Sequence, residues 1–269
     1  MTATSLPNFE NPPVVEVVFG IQFNPLKKFT SPHIGLLWQR YKEKYPNFEE
    51  KAPLAPAVES FGDSPSLKLE LSGLPPLPRV WFVHEKKNGI IQIQKDRFIY
   101  NWRKDLPGDE YPRYPEVKNV FQNHLTTFDS FLQENEIGRI IPNQYELTYV
   151  NHIYQGEGWT DLNDIGNVFE DFSWNSAEKN FLPQISNINF RVSFDLPNCE
   201  GRLHIKAVKG HIPDENKSLL RLDLSVMGMS PDKTDNGMWN WFDTAREWIV
   251  RGFADFTNKS IQKDIWRRK

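Results

Sequence analysis

The residues best suited to do chemistry lie on alternating stretches of the second half. His152 stands in one stretch, Asn189, Arg191 and Ser193 in a second, Arg202, His204 and Lys206 in a third, and Arg221, Asp223 and Ser225 in a fourth. Apolar residues fill the positions between them: Phe190, Val192 and Phe194, then Leu203, Ile205 and Ala207, then Leu220, Leu222, Leu224 and Val226. Alternation of this kind puts one set on each side of a strand. If the strands pair as a meander, the polar set forms one surface. Guanidinium forks suit carboxylate or phosphate, and amides hydrogen-bond adaptably. The expected chemistry is non-covalent capture of an anionic or polar partner by Asn189, Arg191, Arg202, His204, Lys206, Arg221 and His152. The plainer alternative is a solvated face, because antiparallel sheets commonly wet one side. In the first half the matching face offers Gln92, Gln94, Arg97, Asn101 and Arg103.

Catalytic machinery is mostly missing. The chain has no G-x-x-x-x-G-K-[ST], no G-x-G-x-x-G after a strand, no H-E-x-x-H and no G-x-S-x-G. The six histidines show no helical i,i+4 ligand pair, so neither metal nor cofactor is expected. His84 and Glu85 are adjacent on a strand and point to opposite faces. Cys199 follows Pro197-Asn198 in a turn, and as a nucleophile it would need a base brought from elsewhere. The rival enzymatic reading is a hydrolase or nucleotide-modifying enzyme with His152 or His204 as base. A third reading is a DNA-binding saddle. Parity puts no aromatic on the second-half polar face, which counts against base stacking.

The elements that must position these residues follow a repeated phrase. Glu16-Val17-Val18-Phe19 and then Phe29-Thr30 and Ile34-Gly35 return about 130 residues later as Glu146-Leu147-Thr148-Tyr149, Trp159-Thr160 and Ile165-Gly166. Each half reads as strand, helix, a meander of three or four strands, then a long helix. Strands are expected over 14–23, 80–83, 145–154 and the alternating runs. Leu67, Leu69 and Leu71 form a further one. Helices are expected over about 31–45, 116–135, 162–172 and 236–256, and residues 46–65, with four prolines, as a loop. Asn88-Gly89 marks a hairpin turn. The fold class is α+β: two pseudo-symmetric repeats, 1–140 and 141–269, with two similar antiparallel sheets, each covered on one face by a long helix. This order resembles the saddle of the TATA-binding-protein class, and helix-grip folds.

Length and composition agree. A chain of 269 residues can bury a sizeable core, and aromatics, at 13%, supply much of it. Net charge is -3, so a generic polyanion binder is not expected. The single cysteine fits a reducing cytoplasm. No secretory leader pattern and no apolar run near 20 residues is present, so no membrane contact is expected.

Three stretches carry a family resemblance. Pro12-Pro13-Val14-Val15-Glu16-Val17, with a P-x-V-E-V pattern, opens the chain. Tyr149-Val150-Asn151-His152-Ile153 stands in the middle. Arg246-Glu247-Trp248-Ile249-Val250-Arg251-Gly252-Phe253, with Asp255, Thr257 and a late Trp266, closes it as W-I-V-x-G-F-x-D-x-T. Together they resemble a sporadically distributed family of bacterial proteins of about this length. The family brings no established activity, cofactor or catalytic residue. Its patchy distribution implies mobile gene neighbourhoods, such as phage defence or toxin–antitoxin loci. The expectation is therefore a cytosolic, non-enzymatic binding protein. Its partner would be another protein or an anionic ligand, with nucleic acid as the remaining option.

Overall fold

The computed structural model describes residues 5–55, 59, 77–106, 108–172, 181–212 and 217–269. Nine strands form one antiparallel sheet: β1 (Val14–Phe23), β2 (Asn47–Lys51), β3 (Arg79–Val83), β4 (Gly89–Gln94), β5 (Arg97–Arg103), β6 (Pro142–Tyr154), β7 (Asn189–Asp195), β8 (Gly201–Ile212) and β9 (Lys217–Gly228). Their order is β2-β3-β4-β5-β1-β6-β9-β8-β7. The two sheets expected from the repeated phrase are thus a single sheet. β1 pairs with β6 at its centre, matching Val17 with Tyr149 and Phe19 with Leu147. Both strands are apolar on one face, and joining them removes two free edges from the middle of the molecule.

Among the described residues the α-helices are α1 (Ser31–Tyr41), α2 (Tyr114–Glu134), α3 (Asp235–Phe256) and α4 (Lys259–Asp264). α2 lies on β1 and β5, and α3 lies on β6, β9 and β8. Both cover the same sheet face, because that face carries the apolar alternation. Phe19 of β1 sits where the two long helices meet. Its ring lies 5.7 Å from Tyr114, 5.1 Å from Phe121 and 5.2 Å from Phe242, all centroid to centroid. Gly252 lets α3 seat on β8, since a Cβ there would stand 2.8 Å from a Leu203 methyl carbon.

Several boundaries differ from expectation. Thr30 caps α1, which ends at Tyr41, short of the expected 45, and the His33 ring accepts from the Thr30 N–H at 3.1 Å. Residues 162–172 give only a short 3-10 turn, Leu162–Asn167. There Asp161 accepts from the Asn163 N–H, and Asp164 accepts from the Thr160 N–H and hydroxyl. These acceptors cap the turn's free N–H groups at its start. The proline-rich loop contains an edge strand, β2, flanked by Pro46 and Pro53, where edge positions tolerate proline. Asn88 ends the β3–β4 connection and Gly89 opens β4, so a hairpin forms where it was expected. The strand expected at Leu67, Leu69 and Leu71 lies outside the described residues.

Replacing Phe19 with Ala should destabilise the protein by about 3–5 kcal/mol in urea unfolding, the usual cost of emptying a buried phenylalanine site. Leu36→Ala, at a side chain 53% exposed, should stay within about 0.5 kcal/mol. Equal effects would show that the aromatic joint is not the centre of the core.

Candidate polar sheet face

Parity places all of the expected site residues on the face away from the helices. Register pairs His152 with Arg221, Arg191 with Lys206, Ser193 with His204, Asp195 with Arg202 and Lys206 with Asp223. Asn189 lies opposite Val208 on the same face. The strands therefore bring Asn189, Arg191, Arg202, His204, Lys206, Arg221 and His152 together across β6, β9, β8 and β7.

The electrostatics differ from a bare cationic platform. The Arg202 guanidinium donates to Asp195 at 2.6 Å and to Glu59 at 3.0 Å. Arg221 donates to Asp223 at 2.8 Å. Each pair uses a carboxylate of this chain where an outside anion was expected. Arg191 and Lys206 remain exposed, with no ion pair among the described residues. Like charges directly across two strands repel, and Asp223, across from Lys206 on its other side, is held by Arg221.

Glu59 had no signal in the sequence. It comes from the β2–β3 connection, whose described part crosses the polar face. The Leu54 N–H donates to the Gln94 side-chain oxygen at 2.8 Å, and the Gln94 amide donates back to the Leu54 carbonyl at 2.9 Å. Arg97 donates to the Ala55 carbonyl, and the Glu59 N–H donates to the Gln144 side-chain oxygen. The Glu59 carboxylate then stands 2.5 Å from Nε2 of His204, whose Nδ1 stands 2.7 Å from the Ser193 hydroxyl. An ionised carboxylate only accepts, so Nε2 carries the proton and Nδ1 accepts from Ser193. The result is a serine–histidine–glutamate chain on an exposed strand.

The first-half face is not a free surface. Gln92, Gln94, Arg97 and Asn101 are buried. The Gln92 amide donates to Asn101 at 2.6 Å, and the Asn101 amide donates to Glu16 at 2.6 Å. Arg79 and Trp81 both donate to the Gln92 oxygen at 3.0 Å. These amides satisfy one another, as buried polar groups must.

At the other end of the face, between β1, β6 and β9, lies a groove of about 830 Å³. His152, Arg221, Arg103, Lys104, Glu16 and Glu157 line it, and Pro13 and Trp266 add apolar wall. Burial holds the His152 pKa below its ordinary value, and the Arg221 charge adds to the effect while Asp223 opposes it. Burial pushes Glu157 up, against the Tyr154 N–H and Lys104. Among the described residues, no three His, Cys, Asp or Glu side chains are grouped to hold a metal ion, and no helix is long and apolar enough to cross a membrane.

Replacing Arg221 with Gln should raise the His152 pKa, read from the imidazole carbon-bound protons by NMR. The folded value lies below the unfolded 6.5. The stability contribution of neutral His152 is therefore whole above that value and is lost as pH falls through the window beneath it. Removing the cation narrows the window, and an unchanged or lower pKa would contradict this geometry. Comparison with protein-family models, with curated proteins and with solved structures returns no match to this chain.

Proposed function

We propose that this chain is a non-enzymatic binding protein whose polar sheet face captures the anionic groups of a ligand or protein partner. The observation that carries the reading is the convergence of His152, Arg221, Arg103 and Lys104 on one groove of about 830 Å³, continuous in register with the exposed Arg191 and Lys206. That volume lies within the range of small-molecule sites. Arg103, Lys104, Lys217 and Arg221 stand against Glu16, Asp105 and Glu157 on the groove wall, and the apolar part gives a ligand body somewhere to rest. The ion pairs at Arg202 and Arg221 lower the charge available to a DNA backbone, which favours a compact anion over a duplex. The reading includes an ancient duplication. It is supported by the strand order, which runs β5-β4-β3 outward from β1 and β9-β8-β7 outward from β6. The lone cysteine, Cys199, supports a reducing compartment.

A second reading, a serine hydrolase, rests on the Ser193–His204–Glu59 chain. The hydrogen bonds have the order that activates a serine hydroxyl. Acyl transfer also needs enclosed N–H donors for the oxyanion, and Ser193 is exposed on the outermost strand. Binding is therefore the better reading.

Calorimetric titration at low salt with pyrophosphate, citrate and an oligoglutamate peptide tests the first. At least one should bind saturably and weaken with added salt. The Arg191→Glu, Arg221→Glu double variant should bind at least about tenfold more weakly while keeping its circular dichroism spectrum. Absence of binding, or binding that the double variant leaves intact, would overturn the proposal. For the second reading, a fluorophosphonate probe should label Ser193 in the parent and not in His204→Ala, and an unlabelled parent removes it.

A further inference from the structure

A small pocket of about 90 Å³ lies on the opposite, helix-covered side of the sheet. β6 supplies Tyr149 and Asn151 to it, and α3 supplies Arg246, Ile249 and Phe253. Tyr111 enters from the segment before α2. The N-terminal residues Pro7 to Pro13 lie over it. That cover is tied down at several points. Arg113 donates to the Phe9 and Glu10 carbonyls at 2.9 and 3.0 Å, and the Asn11 N–H donates to the Trp266 carbonyl at 3.2 Å. The Phe9 ring packs edge-on against Phe253 at 5.3 Å.

The polar groups inside this cavity are unusual. Arg246 lies over the Tyr114 ring, 4.8 Å from its centroid, and has no hydrogen-bond acceptor or carboxylate partner among the described residues. The nearby Asp243 is taken by the Tyr114 hydroxyl and by Lys118, each at 2.7 Å. The Tyr111 and Tyr149 hydroxyls stand 3.0 Å apart. One donates to the other, so a single hydroxyl proton is left to give. The Asn151 amide is occupied by the Leu222 carbonyl at 3.0 Å. A half-buried guanidinium beside aromatic and aliphatic walls is costly unless an anion or water meets it.

We propose that this cavity is a second ligand site, for a small carboxylate. Arg246 takes the carboxylate through its planar fork, the match that arginine makes best. The free hydroxyl proton of the tyrosine pair donates to the same group. The short organic body rests on Ile249 and Phe253. The volume, roughly that of three water molecules, limits the ligand to a few heavy atoms. Residues far apart in the sequence meet here: Pro12 and Pro13, Tyr149 and Asn151, and Arg246, Ile249 and Phe253.

The test titrates acetate, propionate and inorganic phosphate into the full chain, with calorimetry and thermal unfolding as readouts. Acetate or propionate should bind saturably in the millimolar range and raise the unfolding temperature. Arg246→Gln should lose at least tenfold in affinity. Removing both hydroxyls, Tyr111→Phe with Tyr149→Phe, should lose several-fold, and that variant carries the test if Arg246→Gln does not fold. The Arg191→Glu, Arg221→Glu variant should keep full carboxylate binding, so the polar-face reading can fail while this one stands. No saturable carboxylate binding, tighter binding of phosphate by the Arg191→Glu, Arg221→Glu variant, or affinity unchanged in both cavity variants would overturn the proposal.

Discussion

The antiparallel pairing of β1 with β6 is the constraint on which the rest of the structure depends. It joins the strands of both halves into one sheet, in a register that sets Val17 beside Tyr149 and Phe19 beside Leu147. Strand side chains repeat every two residues, so a one-residue slip would turn Phe19 and Ile21 toward water. The slip would also break the joint where Tyr114, Phe121 and Phe242 close on Phe19. Because one register serves both helices, α2 and α3 are obliged to share a face, and the charged strand residues of the site are left on the other, while Asn151 alone of the β6 amides turns in under α3.

That other face is less available than its composition suggests. Antiparallel pairing sets a carboxylate directly across from several of the cations, and Glu59 arrives from the β2–β3 connection to hold Arg202 and His204 together. Exposed pairs such as Arg221 with Asp223 add little stability, on the order of 0–1 kcal/mol. Their larger effect is on recognition, since a paired arginine must exchange one carboxylate for another to bind a new anion. Arg191 and Lys206 have no such exchange to make. The polar face is thus graded: tied and buried at the Gln92–Arg97 end, neutralised around Glu59, and open toward Arg191, Lys206 and the groove beside His152.

The N-terminal residues join the two sides of the sheet. Pro12 and Pro13 line both the groove on the polar face and the cavity under α3. A proline pair has no backbone N–H to satisfy and a fixed φ, so it can form a thin wall between two cavities without leaving polar groups stranded. Arg113 and the Trp266 carbonyl hold this wall from outside. Arg246 on one side and His152 with Arg221 on the other therefore face separate chemical environments only a strand apart.

Local pattern made much of this legible. The alternation of Leu203, Ile205 and Ala207 with Arg202, His204 and Lys206 determined strand, face and composition, because side-chain parity in a strand is a local property. The spacing of Phe121, Leu125, Phe128 and Leu132 determined the buried stripe of α2 for the same reason. Only the tertiary structure decided that the meanders form one sheet, since hydrogen-bond partners of β1 and β6 lie more than a hundred residues apart. It alone brought Glu59 to His204, through a proline-rich segment with no periodicity to read. It alone left Arg246 facing two tyrosine hydroxyls without a carboxylate. In sequence that arginine looks like an ordinary solvated position on an amphipathic helix, because whether a charge finds its counter-charge is decided by the whole fold.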